Sequence, residues 1–171
     1  LMVASSPKLI SDRALHDAEL ISNSGAWAKS TRQSASARAQ EQGLPQRRDE
    51  YWKYTRPDLF VQKNVALIPQ ARPEISIFAD QMMTEIEFKN AKLAADDLPE
   101  IDNCKIESLS NACALDLHWV QDIYGRLELA GQNPVKRSLA ALNTAMATEG
   151  LLVHAKGQVS SPIRIHSVSI G

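Results

Sequence analysis

Four side chains in this sequence could take part in metal or nucleophilic chemistry: Cys104, Cys113, His154 and His166. The two cysteines are nine residues apart, outside the spacing of common Cys-x-x-Cys metal and redox pairs, so two ordinary thiols are the favoured interpretation. The two histidines fall on successive predicted strands and would approach each other only if those strands were neighbours. They leave a small metal-dependent enzyme using His154 and His166 as one alternative function.

The segment 47–56 is the other candidate, because it mixes basic and aromatic residues in the order Arg-Arg-Asp-Glu-Tyr-Trp-Lys-Tyr-Thr-Arg. Such patches can stack on nucleic-acid bases, so a peptide- or nucleic-acid-binding module is a second alternative. Asp49 and Glu50 lie inside the segment, however, and would repel phosphate. We therefore predict a structural clasp, in which arginine packs on aromatic rings and holds a linker on a helical domain. The candidate clasp or interaction residues are Arg48, Trp52, Lys53 and Tyr54.

Known catalytic motifs are absent from the sequence. The seven glycines are scattered, and there is neither a Gly-x-Ser-x-Gly nor a His-Glu-x-x-His motif. The net charge of −1 argues against nucleic-acid binding through bulk electrostatics, although residues 73–122 carry eleven acidic side chains against three lysines. The start of the chain does not resemble a signal peptide, and no apolar run has the length of a membrane span. We expect a cytoplasmic protein that is not an enzyme and holds no metal or cofactor in this chain.

Helical patterns dominate the first part of the chain. Ser11-Asp12 is a typical helix N-cap. Residues 26–42 predict a second helix, with Trp27 anchoring its start and Gly43 capping its end. Later, residues 117–130 predict one helix with an apolar face of Val120, Ile123, Tyr124 and Leu127. Another helix is expected from Pro134, with its apolar stripe formed by Leu139, Leu142 and Met146.

Strand patterns appear in the middle and at the end. Ile86 and Phe88 alternate with charged residues over 84–89, which predicts a half-buried strand, a turn at Asn90-Ala91 and a return strand at 92–94. Further strands are predicted at 105–109, 151–154 and 162–170. In the last of these the apolar phase slips near His166-Ser167, which predicts a bend or bulge.

Two groups of motifs carry a family resemblance. The first is Gly43-Leu44-Pro45 followed by Arg-Arg-Asp-Glu-x-Trp-Lys-Tyr-Thr at 47–55. The second is Ala-Leu-Asn-Thr-Ala at 141–145, Glu-Gly-Leu-Leu-Val-His at 149–154 and Pro162-Ile163. In order and spacing these resemble the N-terminal part of the SufB/SufD family of iron–sulfur cluster assembly proteins. The Trp-Lys-Tyr-Thr element favours the SufD branch, and the hairpin at 88–93 falls where the family often has one, usually with glycine instead of Ala91.

The resemblance implies a fold and a role. Such proteins have an N-terminal helical domain, a right-handed parallel β-helix and a C-terminal helical domain that engages the ATPase SufC. They pair with SufB through the β-helix, and the complex handles an iron–sulfur cluster. The residues linked to cluster assembly lie further along the β-helix than Gly171, so none is carried over to this chain. The resemblance therefore implies a non-catalytic scaffold subunit with SufB-like and SufC-like partners.

Together, pattern and resemblance predict an α+β fragment. Residues 1–60 would form a helical region, 61–148 a mixed strand and helix region that completes the N-terminal domain, and 149–171 the truncated start of the β-helix. A solenoid rung cannot bury its apolar face without neighbours. We therefore expect the strands at 151–155 and 162–170 to pair with each other, with the 84–94 hairpin or with a second copy of the chain.

Overall fold

The computed structural model describes residues 24–47, 49, 52–57, 81–95, 97–116, 118–130 and 135–168. The predicted helix at Ser11-Asp12 and the clasp residue Arg48 lie outside them. The elements confirm the α+β class. The helices are α1 (Ala26–Gln42), α2 (Leu109–Ala114), the 3₁₀ turn Trp119–Asp122, α3 (Arg126–Leu129) and α4 (Ser138–Met146). The strands are β1 (Thr84–Lys89), β2 (Lys92–Leu93), β3 (Cys104–Ser108), β4 (Leu151–Ala155) and β5 (Ile163–Val168).

The described residues fall into two compact units, and each is built from two separate stretches of chain. The helical unit contains residues 24–57 and 113–147. The sheet unit contains residues 81–112 and 148–168. The division expected from the sequence follows chain order instead, and it stays a prediction about the domains of the protein. None of the helices within the described ranges is long and apolar enough to cross a membrane.

The first helix follows its predicted bounds. α1 ends where Gly43 adopts a left-handed φ of 70°, and the Gly43 N–H donates to the Ala39 carbonyl at 3.0 Å. The predicted anchor is also confirmed, since Trp27 Nε1 donates to the Leu115 carbonyl at 2.6 Å. The buried residues of α1 are Ala28, Arg32, Ala35 and Ala39, so apart from Arg32 this face presents little side-chain bulk.

The helix α4 begins at Ser138 and buries a different face from the predicted one. Its buried residues are Ser138, Ala141, Thr144 and Ala145, whereas the predicted stripe of Leu139, Leu142 and Met146 is only half-buried. The prediction was wrong because α4 packs against the small-residue face of α1. Ala39 and Ala141 form the centre of this contact, with Leu44 and Leu142 packed at its side. Close approach of two helices favours small side chains over a leucine stripe.

The prediction of a single helix over residues 117–130 is also wrong. The chain forms a 3₁₀ turn and then the short α3, separated by Gly125 at a φ of 73°. A Cβ on Gly125 would lie 3.1 Å from Thr144 Cγ2, so the close approach to α4 also requires glycine. Val120 is buried as expected, but Ile123 and Leu127 are 52% and 84% exposed. The apolar spacing of the sequence could not reveal this break, because it depends on a left-handed residue.

Two small sheets form the sheet unit. One has the strand order β2-β1-β5, and the other pairs β3 with β4. β5 runs parallel to β1 from Thr84↔Ile163 to Lys89↔Val168, which confirms the predicted pairing with the hairpin. This register is continuous, so the bulge predicted at His166-Ser167 is wrong. β4 instead runs antiparallel to β3 and lies in the other sheet from β5, so the pairing predicted for residues 151–155 is wrong.

The hairpin turn at Asn90-Ala91 is tight. Lys89 pairs with Lys92, so the loop has two residues, and both have positive φ, 50° at Asn90 and 61° at Ala91. These are the signs of a type I′ turn, which favours glycine at its second position. Ala91 therefore carries backbone strain that a glycine would not.

Replacing Ala91 with glycine is expected to raise the free energy of unfolding by about 0.5–1 kcal/mol, because glycine adopts a positive φ without a Cβ clash. Denaturant titration of the two proteins would measure the change. Ala155→Gly, in an exposed position of β4, serves as the control and should instead lower stability by a similar amount. A destabilised Ala91→Gly protein would contradict the type I′ geometry.

Candidate functional site

The described part of the clasp segment is a run of tight turns. The N–H groups of Asp49, Trp52 and Thr55 donate to the carbonyls three residues before them, at 2.9–3.0 Å. Trp52 is half-buried, whereas Lys53 is exposed and Tyr54 is 92% exposed. The Lys53 ammonium lies 5.4 Å from the centre of the Tyr54 ring. The structural role of these residues stays a prediction, and the turns explain how Trp52 can face inward while Tyr54 faces solvent.

Trp52 lines a pocket of about 310 Å³ at the start of α4. The other described residues that line it are Lys136, Arg137, Ser138, Leu139 and Ala140. Arg137 occupies the N-cap position of α4 but makes no side-chain capping hydrogen bond. Its Nε atom is buried and finds no hydrogen-bond partner in the part of the chain that the structure describes. An indole, two cationic side chains and a helix start therefore surround one cavity, which we call the Trp52 pocket.

Sequence reasoning singled out Trp52 but missed Lys136 and Arg137. The available signal was a Lys-Arg pair directly before a helix, but nothing in the spacing of the chain connects residue 52 with residue 136. Their meeting depends on how α4 packs within the helical unit. The Trp52 pocket is thus the candidate site that the structure adds to the sequence-predicted residues.

The cysteines and histidines do not form one site. Cys104 is half-buried in β3, Cys113 is buried in α2, and both thiols are free. His154 lies on β4 opposite Lys105, whereas His166 lies on β5 opposite Glu87 in the other sheet. The two histidines are therefore not on neighbouring strands. Within the described ranges, no group of three or more His, Cys, Asp and Glu side chains could hold a metal ion.

A buried arginine organises the interior of the helical unit. Arg32 on α1 is 7% exposed, and its Nη1 atom donates to the Ala145 carbonyl at 3.4 Å. Its Nη2 atom lies 3.7 Å from Cys113 Sγ, and its guanidinium carbon is 5.8 Å from the centre of the Tyr124 ring. The guanidinium thus contacts three other parts of the unit. Sequence reasoning missed it, because an arginine within an alanine-rich helix usually faces solvent.

Tyr124 lies beside Arg32 and is held from two sides. Its hydroxyl donates to the Thr144 carbonyl at 2.6 Å, and its ring packs nearly perpendicular to the Trp27 ring with the ring centres 6.1 Å apart. Burial raises the pKa of the Tyr124 hydroxyl; the charge of Arg32 opposes this shift and Cys113 adds to it. The folded protein therefore favours the neutral phenol more strongly than the unfolded chain does.

The raised pKa gives Tyr124 a pH-dependent effect on stability. Because the pKa is higher in the folded state, the contribution is complete below about pH 10 and is lost as the pH rises through the folded value. Tyr124→Phe should cost about 1 kcal/mol of stability at pH 7 through the lost hydrogen bond. The cost should be smaller above pH 10, because ionisation of the phenol then favours the unfolded state of the wild type, whereas the variant has no phenol to ionise. Chemical denaturation between pH 7 and pH 11 measures both effects. Tyr54→Phe should match the wild type throughout, and a constant cost for Tyr124→Phe would count against this description.

Comparison of the chain with family models, curated proteins and solved structures finds no match. The resemblance to the SufB/SufD family therefore rests on the order and spacing of the sequence motifs. The function of the chain is inferred from those motifs together with the contacts described above.

Proposed function

We propose that this chain is the N-terminal part of a SufD-like scaffold subunit. It would act without catalysis of its own, together with a SufB-like subunit and a SufC-like ATPase, in the cytoplasmic assembly and transfer of iron–sulfur clusters. The observation that carries the proposal is the succession of Trp-Lys-Tyr-Thr at 52–55, Glu-Gly-Leu-Leu-Val-His at 149–154 and Pro162-Ile163 along one chain. The cluster is the cargo of the complex rather than a resident group of this chain.

The packing of Gly150 gives one of these motifs a physical reason. The Leu109 N–H donates to the Gly150 carbonyl at 2.9 Å. A Cβ on Gly150 would lie 3.1 Å from Leu109 Cβ and Cδ2, so a larger residue would push the two segments apart. Glycine directly before β4 therefore supports close packing at the point where the motif leads into the strand.

The parallel pairing of β1 with β5 supports the proposed β-helix. Rungs of a parallel β-helix stack their strands in the same direction, and six residue pairs join β1 and β5 in this way. In the sheet order β2-β1-β5, the strand β5 lies at the edge among the described strands. We propose that the next rung of a right-handed β-helix pairs with this edge in the full-length protein.

Co-purification tests the scaffold proposal. The full-length protein, expressed with a SufB-like and a SufC-like subunit of the same source, should elute with both in size-exclusion chromatography. Tyr54→Ala, which changes an exposed ring, should leave the complex intact and serves as the control. Full-length protein that folds but binds neither subunit would overturn the proposal.

The edge of β5 also leads us to propose self-association of the 171-residue chain. An edge strand with unpaired backbone groups can pair with another chain, and Ile165 on β5 is 57% exposed. Light scattering should give a mass that rises with protein concentration. Ile165→Lys should shift the association toward the monomer by about tenfold in concentration, because a charge on an edge strand opposes pairing. A monomer at every concentration would contradict this expectation.

A second candidate function is a peptide- or nucleic-acid-binding module that uses residues 47–56. The observation in its favour is the exposed pair of Lys53 and Tyr54. A salt-dependent affinity for single-stranded nucleic acid that is lost in Tyr54→Ala would support it. Absence of such binding would leave the segment with its structural role alone.

A further inference from the structure

The Trp52 pocket has the chemistry of a small-molecule site. We propose that it binds a planar aromatic compound carrying one phosphate group, of the nucleoside monophosphate class. This inference does not depend on the scaffold proposal, because it concerns the helical unit alone. It follows from the charge, the helix start and the indole that meet in one cavity.

The charge of the pocket favours an anion. Lys136 and Arg137 both line it, and neither takes part in an ion pair with the other described residues. The Arg137 Nε atom is buried and has no hydrogen-bond partner among the described residues. A buried donor on a charged group is costly when it stays unsatisfied, and an anionic oxygen is its strongest acceptor. Arg137 lines the pocket, so its guanidinium can donate to the oxygens of a phosphate bound there.

The start of α4 adds backbone donors to the same cavity. Ser138, Leu139 and Ala140 form the first turn of this nine-residue helix, and all three line the pocket. Arg137 leaves them without a side-chain cap. The N–H groups of a first turn, together with the helix dipole, favour phosphate. They supplement the two cationic side chains, which carry the recognition.

The indole and the size of the cavity define the rest of the ligand. Trp52 is half-buried against the pocket, and aromatic side chains of this kind stack on planar bases. A volume of about 310 Å³ lies at the small end of ligand pockets, which suits one base and one phosphate. A polynucleotide would in addition meet the exposed carboxylate of Asp49 and a chain of net charge −1, which disfavours a polyanion.

Titration with AMP, followed by NMR, tests the proposal. The chain has three tryptophans, Trp27, Trp52 and Trp119, whose indole N–H signals can be followed separately and assigned with Trp52→Phe. AMP should shift the Trp52 signal with a dissociation constant between about 10 µM and 1 mM, and leave the Trp27 and Trp119 signals in place. Adenosine and inorganic phosphate should each bind at least about tenfold more weakly. No saturable shift up to about 5 mM AMP would overturn the proposal.

Variants of the charged side chains test which of them bind the phosphate group of AMP. Arg137→Gln should weaken AMP binding about tenfold or more, and Lys136→Ala several-fold. Lys53→Ala is the matched control, since Lys53 is an exposed cation next to Trp52 that does not line the pocket. Unchanged AMP affinity in Arg137→Gln would overturn the phosphate assignment.

Phosphate that binds as tightly as AMP would overturn the stacking on Trp52, and a short oligothymidylate that binds more tightly than AMP would favour nucleic acid instead. An NMR spectrum as dispersed as that of the wild type serves as the folding control for each variant.

Discussion

Replacing Ala39 with leucine is expected to lower the free energy of unfolding by about 3 kcal/mol. Ala39 and Ala141 have no exposed surface and meet where α1 packs on α4. A leucine inserted there has no cavity to occupy, so the helices must separate or the side chain must leave its preferred rotamers. The loss would be seen in denaturant unfolding as a lower midpoint with an unchanged slope.

Ala37→Leu is the matched control for this substitution. Ala37 lies on the same helix but is exposed, so the same change should alter stability by less than about 0.5 kcal/mol. Both leucines have the same helix propensity, and only one enters the contact with α4. Equal stability of the two variants would mean that the helices do not meet through their small residues.

Replacing Arg38 with alanine should have a comparable effect, a loss of about 2–3 kcal/mol. Arg38 binds Glu128 through two hydrogen bonds, from Nε to Oε1 at 3.1 Å and from Nη2 to Oε2 at 2.5 Å. The Glu128 side chain is only 5% exposed, whereas that of Arg38 is 21% exposed. Removing the arginine therefore takes two charge-assisted hydrogen bonds from a buried carboxylate, which costs more than the ion pair itself contributes.

Removing both partners separates the loss of the ion pair from the cost of burying a carboxylate without Arg38. The double variant Arg38→Met with Glu128→Leu should be markedly more stable than Arg38→Ala, because it removes the buried carboxylate together with the guanidinium that binds it. Lys29→Ala, an exposed cation on the same helix, should stay within about 0.5 kcal/mol of the wild type. An Arg38→Ala protein as stable as Lys29→Ala would show that the pair contributes no more than a surface salt bridge.

Local signals in the sequence predicted the elements whose causes are local. α1 begins and ends where its pattern and Gly43 indicate. The alternation over 84–89 gives β1, and the turn at Asn90-Ala91 follows it directly. In each case the deciding contacts lie within a few residues, so the sequence pattern contains them. The α+β class follows from the same patterns.

Contacts between distant residues could not be predicted in the same way. The partner of β5 is β1 rather than the preceding strand β4, and only the pairing register shows it. The small-residue face of α4 is buried because α1 presents alanines to it, which the sequence of α4 alone does not reveal. The Trp52 pocket joins a turn to a helix more than 80 residues later, counted from Trp52 to Lys136. These features depend on tertiary packing, which overrides local preference.

The pairing of β1 with β5 sets an order of events during synthesis. Thr84 pairs with Ile163, so 79 residues must be added after the first strand before its partner exists. At about 5–20 residues per second, the ribosome needs roughly 4–16 s to make that stretch. For this time the emerging β1–β2 hairpin has one edge without its native neighbour. Until β5 has been made, that edge is open to pairing with another chain, so the topology makes the time of synthesis a period of exposure to aggregation.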